Sequence, residues 1–156
     1  MRPAQVDLRA AERAAADFLA ALWIEPDRDG WAEGRMARAY AELLDSQPLQ
    51  LTTFPNDEGY DELVLARSIP FRTVWAHHLL PFGGVAHVGY LPGEKILGLS
   101  ALARIVGHFS ARPQSPGRLA RQVAECLHVR LDPRGAGVVL EAERTCRPCA
   151  ELGPSA

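Results

Sequence analysis

The chain has 156 residues, a formal net charge of −2, 47% hydrophobic residues and 23% charged residues. That length suits one domain with a real hydrophobic core. The charge argues against a bulk nucleic-acid binder, which is normally clearly basic. No apolar run reaches the length of a membrane span, and Met1-Arg2-Pro3-Ala4-Gln5 lacks the apolar core of a signal peptide. Three cysteines make an odd count, and two of them form Cys146-x-x-Cys149. A cytoplasmic protein with reduced thiols is the expectation.

In chain order, residues 7–24 carry Leu8, Ala11, Ala15, Phe18, Leu19 and Leu22 at helical spacing, and Pro26 and Gly30 end that helix. A second helix is predicted over residues 31–44, with Ala37, Tyr40 and Leu44 on one face. Residues 45–60 are rich in Pro, Thr, Asp and Asn and read as a loop. Three strands are predicted at 63–69, 73–80 and 85–91, with Phe82-Gly83-Gly84 as the hairpin turn between the last two. On this reading His77 and His78 alternate on a strand, one facing in and one facing out. Ser100 is predicted to cap a helix that turns Leu102, Ile105, Val106 and Phe109 inward. Ser115-Pro116 opens a further helix to about Leu131. Asp132-Pro133-Arg134-Gly135 is a turn, and residues 136–142 form a β-branched strand. The class is therefore α+β with a mainly antiparallel sheet.

Several motifs, in order and spacing, resemble the GTP cyclohydrolase I family. They are His77-His78-Leu79-Leu80-Pro81-Phe82, Ala86-His87-Val88-Gly89-Tyr90-Leu91-Pro92 and Gly98-Leu99-Ser100. Arg104-Ile105-Val106, Arg112-Pro113-Gln114 and Gly137-Val138-Val139-Leu140-Glu141-Ala142 follow. The resemblance covers roughly four-fifths of the chain. It implies the tunnelling fold (T-fold), an antiparallel sheet with helices on one face, here with an N-terminal helical extension over 1–45 and a core over 61–156. It also implies a homo-oligomer, a pentamer or a stacked decamer, with sites between subunits. The reaction implied opens the imidazole ring of GTP, releases C8 as formate and recloses the product to dihydroneopterin triphosphate. In it, zinc held by Cys, His and Cys activates a water, and a neighbouring histidine moves a proton.

Carried over position by position, the resemblance is interrupted where the chemistry lies. The family's Cys-Glu-His-His is Trp75-Ala76-His77-His78 here. His78 falls on the zinc ligand and His77 on the proton-transfer histidine. Arg144 stands where a second histidine belongs, and Cys146 falls on the last zinc ligand. The phosphate-holding lysine is Ala101, while Ser100, Arg104 and Arg35 match phosphate-facing positions. The guanine-reading Gln-Glu-Arg is Pro116-Gly117-Arg118, so the reading carboxylate is gone. The sequence stops at Ala156, where the resemblance implies a further strand.

The expectation is a family member without GTP cyclohydrolase activity, repurposed as a diverged enzyme on a planar small molecule, in specialised metabolism. His77 is then the catalytic acid or base. Trp75 is a stacking wall, and Ser100, Arg104 and Arg35 bind an anionic group of the substrate. The alternatives are an inactive paralogue that co-assembles with or regulates a true cyclohydrolase, and a residual purine or pterin binder. No cofactor is assigned outright. A rewired zinc site of His78, Cys146 and Cys149 is one reading of the Cys-x-x-Cys pair, and inert thiols are the other. Trp75 reads equally as packing, and Arg104 as a solvated helix residue. Cys126 is expected in the core, and His87 and His108 at the surface or in structural roles. The partners expected are copies of the chain and a small molecule, with no nucleic acid and no membrane.

Overall fold

A computed structural model describes residues 6–25 and 31–143. The chain forms two compact units, Met1–Asp45 and Ser46–Ala156. The first holds α1 (Leu8–Ala21) and α2 (Trp31–Leu43), which pack together. Asp7 caps α1, its Oδ1 accepting from the Ala10 N–H at 3.0 Å. Ala15 and Ala37 are buried. Both helices lie within the expected spans, although Pro26 and Gly30 fall outside the described residues.

The second unit is built on a three-stranded antiparallel sheet, in the order β2 (Val64–Val74), β3 (Pro81–Leu91), β5 (Gly135–Glu143). Two helices, α3 (Leu99–Ser110) and α4 (Pro116–Leu131), cover one face. On α3, Leu102, Ile105 and Val106 are fully buried, while on α4 Leu119, Val123 and Leu127 recur every fourth residue with no exposure. They meet Ile69 and Phe71 of β2, Ala86, Val88 and Tyr90 of β3, and Val138, Leu140 and Ala142 of β5. Each fully buried leucine contributes about 1.5–3 kcal/mol to this layer. Ser115 caps α4 with Pro116 at its first position, and Asp132 closes it in the left-handed region, both where the sequence places them.

The structure departs from the sequence reading in four places. Residues 63–69 and 73–80 are not two strands: β2 runs unbroken from Val64 to Val74, with an irregular register between Ala66 and Ile69. Pro70 is tolerated because β2 is an edge strand. The hairpin turn is not at Phe82-Gly83-Gly84 but at residues 75–80, so His77 and His78 sit at its apex instead of alternating on a strand. The two glycines serve close strand approach: a Cβ on Gly84 would lie 2.0 Å from the Glu141 carbonyl oxygen, and one on Gly83 2.9 Å from that of Phe71. Ser100 is not the cap of α3. Gly98 holds that position, and Ser100 sits exposed inside the first turn. Within the segment read as a loop, Thr53–Pro55 forms β1, which pairs antiparallel with β4 (Lys95–Leu97). Tyr90 anchors β4 to β3: its hydroxyl accepts from Leu97 N–H at 2.9 Å and donates to Leu97 C=O at 3.2 Å.

The turn itself is closed by backbone. Trp75 N–H donates to Leu80 C=O and Leu79 N–H to Trp75 C=O, each at 2.9 Å. Leu79 adopts φ 60°, a left-handed conformation that disfavours any residue with a Cβ.

Two pairs of substitutions test these assignments. Gly84→Ala is expected to lower stability by more than about 2 kcal/mol, because the β3–β5 ladder must part. Gly107→Ala, on an open face of α3, is expected to raise it by roughly 0.5–1 kcal/mol. Urea unfolding of both variants measures the contrast, and equal effects would contradict the strand register. At the turn, Leu79→Gly is expected to be more stable than Leu79→Ala by about 1 kcal/mol, the reverse of the order at ordinary positions. Thermal melts in which the alanine variant is the more stable would exclude the left-handed turn.

Candidate functional site

The apex histidines depend on a junction between the end of β2 and the connection from α3 to α4. Gln114 N–H donates to Val74 C=O at 2.8 Å, and Ala76 N–H donates to Gln114 C=O at 2.9 Å. The pair makes Trp75 and Gln114 partners in a parallel bridge. Nearby, Thr73 Oγ1 donates to Arg112 C=O at 2.7 Å. Gln114 is 1% exposed, and its Nε2 donates to Phe109 C=O and to Gln122 Oε1, each at 2.7 Å. One residue thus joins β2, the turn, α3 and α4.

Trp75 is half-buried and points its ring into an aromatic stack. Its centroid lies 4.5 Å from that of Phe82 and 5.9 Å from that of His78. Phe82 in turn meets Phe71 edge-on at 6.1 Å. The indole Nε1 is buried without a hydrogen-bond partner among the described residues. His78 is exposed, and its Nδ1 accepts from Leu80 N–H at 3.2 Å. In the neutral ring the proton is then on Nε2, and the lone pair is already in use. His77 is exposed at the apex.

Zinc bound as the resemblance implies does not fit these residues. Trp75 brings no lone pair to the first ligand position, and its ring fills the space beside His78. No group of three or more His, Cys, Asp or Glu side chains is placed to hold a metal among the described residues. Arg144, Cys146 and Cys149 lie outside those residues.

The other expected site residues fall on two elements. Ser100 and Arg104 are exposed one turn apart on α3, so they share a face. Arg35 is exposed on α2, in the first unit. Ala101, at the position of the lysine, is 2% exposed and packs in the core. At Gly117 no atom of the described residues lies within 4 Å of where a Cβ would be. Gln114 was within reach of the sequence through Arg112-Pro113-Gln114, but a motif match does not distinguish a buried amide from a solvated one.

The remaining candidates are structural. His87 Nδ1 accepts from Ser68 N–H and its Nε2 faces Glu141 Oε1, both at 3.4 Å, across three strands. His108 Nδ1 donates to Gln47 C=O at 2.8 Å. Cys126 packs beside the core, and burial raises its thiol pKa, with Arg130 opposing.

Comparison with known proteins agrees with this architecture. The family model of GTP cyclohydrolase I matches residues 11–152. The GTP cyclohydrolase 1 of Mycolicibacterium gilvum (strain PYR-GCK) is 45% identical over 147 residues, spanning 90% of this chain and 73% of that protein. That of Mycobacteroides abscessus is 46% identical over 149 residues, spanning 90% and 72%. That of Mycobacterium tuberculosis (strain H37Rv) is 44% identical over 147 residues, spanning 90% and 73%. Motifs, sheet topology and these similarities agree: the chain belongs to the GTP cyclohydrolase I family and has its T-fold.

Proposed function

We propose that this member of the family does not convert GTP and works instead as a diverged enzyme on a planar small molecule. The observation that carries the reading is Trp75, a ring in contact with Phe82 and near His78 where the family's chemistry calls for a zinc thiolate. The loss is compounded at Gly117. A carboxylate there would accept charge-assisted hydrogen bonds worth about 1.5–3 kcal/mol each from the guanine edge. A glycine offers none. In this reading His77, exposed at the apex, is the general acid or base. Trp75 stacks on the flat part of the substrate. Arg104, with Ser100 on the same face, binds an anionic group.

The protein is proposed to act as a homo-oligomer, a pentamer or a decamer. The support is the sheet: β2 and β5 are its two edges, and neither carries a further strand among the described residues. Open edges of this kind are normally covered or paired. No helix among the described residues is long and apolar enough to cross a membrane.

Incubation with GTP, followed for formate and for the fluorescent pterin, is expected to show neither product above the uncatalysed background. Sustained turnover would overturn the reading. Static light scattering is expected to give the mass of a five- or ten-subunit particle, and a stable monomer would contradict the proposed assembly.

A further inference from the structure

Two buried polar atoms at the site have no hydrogen-bond partner among the described residues, and they belong to bridged residues. One is the indole Nε1 of Trp75, a donor. The other is Oε1 of Gln114, an acceptor. The identity of the second is fixed by its surroundings. The Gln114 atom facing the Phe109 carbonyl at 2.7 Å must be the NH2 group, since a carbonyl only accepts. The other end of the amide is therefore an oxygen. Leaving each atom unpaired costs about 1–3 kcal/mol, and buried polar groups are nearly always satisfied.

The geometry points to Gln114 as the positioning residue for Trp75, with its Oε1 accepting the indole N–H. Residues paired in a bridge carry their side chains toward the same side, and Trp75 and Gln114 are so paired. A bond between them satisfies both atoms at once. The bond ties the ring to the same residue whose backbone holds the turn. It deepens the proposed function and rests on it in one respect, that the indole is the platform for the ligand. With its N–H engaged by Gln114, Trp75 presents only a ring face. The ligand class is then a flat conjugated ring recognised by stacking, with no acceptor atom required opposite the indole nitrogen.

The test needs neither ligand nor turnover, so it stands or falls apart from the proposed activity. The full-length protein is made with isotope-labelled tryptophan, and the indole N–H signals of Trp23, Trp31 and Trp75 are recorded. Trp75→Phe identifies the third. The Trp75 signal is expected downfield of that of Trp23, whose side chain is 94% exposed. Gln114→Met is expected to move it upfield and to speed its hydrogen exchange about tenfold, as the loss of one hydrogen bond requires. Gln122→Met removes another partner of the Gln114 amide but leaves Oε1, and is expected to keep the Trp75 shift. A wild-type Trp75 signal at the unbonded position would overturn the assignment, as would an unchanged shift in Gln114→Met. If Gln114→Met does not fold, the wild-type shift decides alone.

Discussion

Two backbone hydrogen bonds at Gln114 hold the functional end of this molecule. They fasten the connection between α3 and α4 to the last residue of β2 and to the first residue beyond Trp75. The sheet ends there, the helices turn there, and the apex carrying His77 and His78 begins there. Because Gln114 is buried and its amide reaches both helices, the turn is held on the helix layer as well as on the strands. The leucines and valines of α3 and α4 supply the stability of that layer, and Gln114 transmits it to the site.

The fold was largely legible in the sequence, and the exceptions share a cause. Ser115-Pro116 is a local start signal for a helix and Asp132-Pro133 a local stop, so α4 was read from Ser115 to about Leu131 with its cap. Ser100 and the glycine pair misled because one residue type has several uses. Gly83 and Gly84 read as a turn, but their lack of a Cβ admits neighbouring backbone. The true turn has a leucine at its left-handed position, which no local preference announces. β1 and β4 are three residues each and depend on pairing with one another and on Tyr90, far away in sequence. At the site, Trp75, His77 and His78 were named from sequence, whereas the orientation of His78 came from a bond to Leu80 that no spacing encodes.

What the family retains and what this chain alters separate along physical lines. The motifs that carry the resemblance include residues that build the frame: Tyr90, Ile105 and Val106 of α3, and Gln114. At two positions where the resemblance implies chemistry, Trp75 joins an aromatic stack and Ala101 enters the core. Gly117 has open space around it among the described residues. Similarity of 44–46% to GTP cyclohydrolase 1 proteins is therefore compatible with a changed activity, because a frame needs many residues and a reaction few.

The central claim is that the frame persists while the groups that read guanine and drive its chemistry do not. Calorimetric titration of the assembled protein with GTP and with ATP, in one buffer, tests it most directly. With Gly117 in place of the reading carboxylate, the account predicts no preference between the two nucleotides. Saturable binding of GTP at least about tenfold tighter than ATP, the equivalent of about 1.4 kcal/mol, would contradict it.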